Sequence, residues 1–101
     1  MAVTTSRATG QLPATPGVLF TAAGDCSVRV SLAAGGATDR TFSLYLNTGT
    51  RRRFARSTVP GNGMWPAGQQ YGPVSMKSGD TIDGEAAVAT EVEYVISVVN
   101  L

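Results

Sequence analysis

Apolar and polar side chains alternate through the last third of the chain. In the run that ends it, Val92, Tyr94, Ile96 and Val98 point one way and Glu91, Glu93, Val95, Ser97 and Val99 the other. Upstream, Ile82, Gly84, Ala86 and Val88 alternate with Asp83, Glu85, Ala87 and Ala89. A two-residue period with one apolar side marks a strand lying on a core, and two such runs around a short polar connection predict a β-hairpin. The period recurs earlier. Cys26, Val28, Val30 and Leu32 are expected inward and Ser27, Arg29 and Ser31 outward; Phe42, Leu44 and Leu46 share one face opposite Thr41, Ser43 and Tyr45, and these two segments are expected to pair antiparallel. Gly17 to Thr21 reads as a short apolar strand, and Val74 and Met76 turn inward in another. Glycine-rich or polar turns separate the runs, and no segment has a helical period. The prediction is an all-β chain: a single antiparallel β-sandwich, jelly-roll-like, over residues 17–101.

Residues 1–16 break the pattern. They hold two prolines, a glycine and small polar residues, and have no core of their own. They are expected to form an extended N-terminal arm outside the domain, ordered by lying on a neighbouring subunit, with Arg7 as an anchor.

Composition adds little charge but an uneven layout. A chain of 101 residues supports one core and buries about 65% of its unfolded surface. Only 15% of residues are charged, which leaves surface free for contacts between subunits. Residues 1–77 hold all eight bases and two of the seven acids, a net +6; residues 78–101 hold the other five acids and no base, a net −5. The two parts either neutralise each other within one sandwich or meet between neighbouring copies.

Candidate chemistry is sparse. There is one cysteine, Cys26, and no histidine, so an intrachain disulfide and a cysteine–histidine nucleophile are excluded, and Cys26 reads as a small buried residue. Asp80 and Asp83, or Glu91 and Glu93, are paired acids on outward positions with no apolar pocket implied. No catalytic residue, metal site or cofactor is expected. The segment Arg51-Arg-Arg-Phe-Ala-Arg56 reads as a basic edge strand, with Arg51 and Arg53 on one face and Arg52 and Arg56 on the other. Those arginines around Phe54 could grip phosphates and stack a base, but a dedicated nucleic-acid binder is more basic than +1. Pairing with an acidic protein surface is the reading adopted. The loop Pro60 to Gly72 carries Met64 and Trp65 on a glycine-rich backbone, with Tyr71 beyond them; Trp65 either tucks over the mouth of the sandwich or is offered outward, as an apolar anchor for a partner or a contact for a glycan. No apolar stretch has the length of a membrane span, and no leader is evident, so synthesis in the cytoplasm is expected.

Three segments together carry a resemblance. Gly17-Val-Leu-Phe-Thr-Ala-Ala-Gly24, then Ser27-Val-Arg-Val-Ser-Leu32 with Arg40-Thr-Phe-Ser-Leu-Tyr-Leu46, then Val74-Ser-Met-Lys-Ser-Gly-Asp-Thr-Ile-Asp-Gly-Glu-Ala86 resemble the small β-sandwich virion proteins of tailed bacteriophages. The match covers residues 17–101 and rests on strand order and the Gly79-Asp80-Thr81-Ile82 turn. The first turn departs from it, with Ala22-Ala-Gly24 where the family tends to have Pro-Ala-Gly, and the arginine strand and Trp65 loop have no counterpart. The resemblance implies a non-enzymatic virion subunit: a capsid decoration protein bound to the major capsid protein and to copies of itself, as a homotrimer, or else a tail, fibre or baseplate subunit with a host-glycan contact through the Trp65 loop. Arg7, Arg51, Arg52, Arg53, Arg56, Met64, Trp65 and Tyr71 would form the interface, with Asp80, Asp83, Glu85, Glu91 and Glu93 as its acidic counter-surface.

Overall fold

The computed structural model describes residues 4–67 and 70–101; the first three residues and two of the Trp65 loop lie outside them. Among the described residues there are nine strands and no helix: β1 (Thr4–Gln11), β2 (Gly17–Thr21), β3 (Cys26–Ala34), β4 (Arg40–Asn47), β5 (Arg51–Val59), β6 (Met64–Trp65), β7 (Tyr71–Met76), β8 (Thr81–Ala86) and β9 (Val92–Asn100). Two antiparallel sheets form, one in the order β1-β9-β3 with β6 and β7 both on the far side of β3, the other β2-β8-β4-β5. If β6 and β7 count as one broken strand, the first strand pairs with the last, the second with the next to last, and so inward to β4 with β5. That nesting is a long hairpin rolled into a sandwich, the jelly roll.

The alternation places the core. Cys26, Val28, Val30 and Leu32 on β3 and Val92, Ile96 and Val98 on β9 are buried against Phe42, Leu44, Ile82 and Ala86 of the opposite sheet. Gly84 occupies an inward position where a Cβ would lie 2.8 Å from Leu19 Cδ1 and 3.0 Å from Leu12 Cδ2, so the sheets close up over its missing side chain. Tyr94 spans the gap, its hydroxyl donating to the Leu19 carbonyl at 3.4 Å.

Three expectations are corrected. The last two runs are not a hairpin: β8 pairs with β2 and β4, β9 with β1 and β3, and the turn between them carries the chain from one sheet to the other. For the same reason β3 and β4 face each other across the core instead of pairing. A period of two fixes which side of a strand is buried but not which strand lies beside it. The first of the two runs also stops at Ala86, leaving Val88 exposed in the turn.

The third correction concerns residues 1–16. Residues 4–11 are β1, in unbroken antiparallel register with β9, and Leu12 is fully buried in the core. The Leu12 amide donates to the Val92 carbonyl, and the Pro13 carbonyl accepts from Ala86, which fixes the crossing from one sheet to the other. The segment is extended, as expected, but it belongs to the sandwich. A polar strand leaves no alternation to read because main-chain hydrogen bonds, rather than buried side chains, hold it.

Candidate functional site

The outward face of the sheet β2-β8-β4-β5 gathers half of the charged residues singled out above: Arg51, Arg53, Arg56, Asp83 and Glu85. Its arrangement depends on a bulge. Leu44 pairs with Ala55 but Tyr45 with Arg53, so Phe54 is an extra residue in β5. Strict alternation would put Arg56 on the face opposite Arg51 and Arg53. The bulge resets the phase, so that Arg51 lies beside Asn47, Arg53 beside Tyr45 and Arg56 beside Ser43, all on the outer face; Arg52, beside Leu46, keeps the other side. The expectation that Arg51 and Arg53 face away from Arg56 is therefore corrected.

Arg51 is committed within the chain. Its Nε donates to Asp83 Oδ2 at 2.8 Å, and Thr81 Oγ1 donates to Oδ1 of the same carboxylate at 2.7 Å. Asp83 has no exposed surface, although it lies on the outer face: β8 is a central strand, and the register sets Val18 on one side of Asp83 and Tyr45 on the other. The guanidinium of Arg51 also lies 5.9 Å from the Tyr45 ring centre. One row along, the Tyr45 hydroxyl donates to Glu85 Oε1 at 2.6 Å. Tyr45 has its pKa raised above the usual tyrosine value, chiefly because the Glu85 carboxylate accepts this hydrogen bond, with burial adding to it.

Arg53 and Arg56 are placed differently. Both are exposed, and among the described residues the ion pairs are Arg51–Asp83 and Arg40–Glu91, the latter at 4.0 Å. With Thr41, Ser43 and Glu85 they rim a shallow depression of about 320 Å³ on the sheet face. Among the described residues the structure thus offers two guanidinium groups outside any ion pair on an edge strand, next to a carboxylate already engaged by a tyrosine.

The other predicted residues scatter. Arg7 lies on the outer face of the opposite sheet, beside Ser97. Glu93 is on that face as well, beside Gln11 and Ala33. Asp80 accepts from the Lys77 amide at 3.0 Å and shapes the turn before β8. Of the acids expected as one counter-surface, only Asp83 and Glu85 adjoin the arginines.

Trp65 is tucked into the fold. It meets the edge of Phe42 at a ring distance of 4.7 Å and stacks on Tyr71 at 5.5 Å, and Tyr71 stacks in turn on Phe54 at 5.3 Å. This column joins β4 and β5 of one sheet to β6 and β7 of the other and closes that side of the sandwich. Phe54, the extra residue of the bulge, is half-buried within this column. Met64 remains exposed. Cys26 is buried, and burial is the main cause that pushes its thiol pKa up, with Asp25 and Asp80 adding to it. Among the described residues no group of acidic, cysteine or histidine side chains is placed to hold a metal ion, and no helix is long and apolar enough to cross a membrane.

No protein-family model matches the chain, and no curated protein matches it in sequence. Two solved structures are similar over almost its whole length. One is from the endospore appendages of Bacillus, which are disulfide-linked pili: TM-score 0.59, 14% identity, 97% of this chain and 85% of that one. The other is from the acid-stable capsid of the Helicobacter pylori bacteriophage KHP30: TM-score 0.57, 16% identity, 98% of this chain and 86% of that one. The likeness is one of fold.

Proposed function

We propose that this chain is a non-enzymatic structural protein of a bacteriophage virion that decorates the outer surface of the capsid and stabilises the head. The observation that carries the reading is the pair Arg53 and Arg56, which have no ion-pair partner among the described residues and lie on an open face of the jelly roll. An open face with two free guanidinium groups suits a flat acidic protein surface, where arginine makes bidentate contacts with carboxylates. The occurrence of the same fold in a phage capsid supports it further. The partners in this reading are the major capsid protein and further copies of the chain, and the localisation is the virion.

A tail, fibre or baseplate subunit is the second reading, favoured by the occurrence of the fold in a pilus. Its glycan contact through Trp65 loses support, because the ring meets Phe42 and Tyr71 and stacking on a sugar needs an open ring face. A homotrimer, the state implied by the resemblance, is the alternative to a two-fold pair of copies.

Copy number in purified particles separates the two readings. Amounts comparable to the major capsid protein support decoration, and far smaller amounts support a tail or fibre. The double variant Arg53→Glu/Arg56→Glu is expected to fold and to lose particle binding; undiminished binding overturns the assigned face.

A further inference from the structure

The four edges of the two sheets are not alike. β5 carries four arginines and a bulge at Phe54. β2 is five residues long and bulged at Leu19. The edge formed by β6 and β7 is in two pieces and contains Gly72 and Pro73. Charge, bulges, short length and proline are the devices by which a sheet refuses a further strand. β1 has only the weakest of them: it runs for eight residues in unbroken register, holds no proline, and carries a single charge, Arg7. Seven of its eight residues are exposed, with Ala8 alone half-buried, so the strand offers an open row of main-chain groups with little side-chain obstruction.

We propose that β1 pairs antiparallel with β1 of a second copy about a two-fold axis at Ala8. Because each copy has one receptive edge, a contact between copies uses the same edge on both, which is an isologous contact that closes after two. In a continuous sheet, opposed residues point to the same face, so the axis passes through a residue rather than between two. Within Thr4–Gln11, an axis at Arg7 or at Ala8 keeps seven residues of each strand paired, and any other axis keeps fewer. An axis at Arg7 sets two guanidinium groups directly opposite each other. An axis at Ala8 sets Arg7 opposite Thr9 of the second copy, Thr5 opposite Gln11, Ser6 opposite Gly10, and Ala8 opposite itself. No like charges then oppose each other.

The register gives the test, which uses the purified full chain alone and is independent of capsid binding. Ala8→Cys is expected to oxidise to a covalent dimer, since directly opposed Cα atoms in an antiparallel pair lie about 4.5–5.5 Å apart, within disulfide reach. Ser6→Cys is not, because its mate lies about 13 Å away along the strand. Cys26 is buried and does not compete. At the exposed Thr9, Arg sets a cation opposite Arg7 twice and weakens self-association roughly two- to thirtyfold by sedimentation, and Glu strengthens it by a similar factor that salt removes. A wild-type monomer at high protein concentration, a discrete trimer, equal crosslinking at positions 6 and 8, or the same response to Thr9→Arg and Thr9→Glu overturns the pairing.

Discussion

Arg51 reaches from an edge strand to donate, through Nε, to a carboxylate of Asp83 that no solvent touches, at 2.8 Å. The Arg51 side chain is 41% exposed, so the pair is lopsided: one partner keeps much of its water and the other has given it up. Removing the wetter partner therefore does the greater harm, because it leaves the buried acid with Thr81 alone.

Arg51→Ala is expected to lower stability by about 1–3 kcal/mol, the usual cost of a buried polar group left short of a partner. Arg53→Ala, on the same face without an ion pair, should stay within about 0.5 kcal/mol of wild type. Urea denaturation of both variants, with Asp83→Asn and the Arg51→Ala/Asp83→Asn double mutant to close the cycle, measures the difference. Equal values for the two arginines would contradict the structural role of Arg51.

Trp65 holds one side of the sandwich shut. Trp65→Ala is expected to cost about 2–4 kcal/mol, somewhat below a fully enclosed aromatic because the ring is only half-buried. Met64→Ser, at the exposed neighbour, should cost little. Thermal melts followed by near-ultraviolet circular dichroism would register both, and an unchanged melt for Trp65→Ala would mean that the column carries no stability.

The hydrogen bond from Tyr45 to Glu85 makes an alkaline signature. Because the folded pKa is raised above the ordinary value near 10.0, the stabilisation is complete below that value and is lost as pH rises through the folded one. Wild type should therefore exceed Tyr45→Phe in stability at neutral pH, and the gap should close only above the normal tyrosine range. Denaturation of the two proteins across alkaline pH tests the sign; a gap that widens with pH would contradict it.

Cys26 should resist thiol reagents in the native state and react fully once unfolded. Burial removes access, and the raised pKa lowers the thiolate fraction that does the chemistry. Native reaction at the unfolded rate would mean that the edge of the sandwich opens readily there.

A core overpacking test completes the set. Gly84→Val pushes a branched side chain between Leu19, Leu12 and Leu44 and is expected to cost about 1–3 kcal/mol or to prevent folding. Measurement by chemical denaturation suffices.

Most of the inward residues were legible in the chain itself. Cys26, Val28, Val30 and Leu32, Phe42 and Leu44, and Ile82, Gly84 and Ala86 all face the core as their alternation required. The candidate site was less so. Arg56 joins Arg51 and Arg53 only because one extra residue at Phe54 shifts the phase, and nothing local in the segment announces the bulge. Asp83, at an outward position, reads as solvated until its strand is known to be central, with neighbours on both sides and Arg51 above.

Local alternation was enough for an all-β sandwich and for the buried sides of its apolar strands, because a two-residue period is a local property of the chain. The tertiary structure alone decided which strands lie side by side, that β1 belongs to the sheet, and that Arg51 is spent on Asp83 while Arg53 and Arg56 stay free. Those outcomes depend on pairing between strands far apart in sequence. A single strand's alternation contains no record of its neighbours.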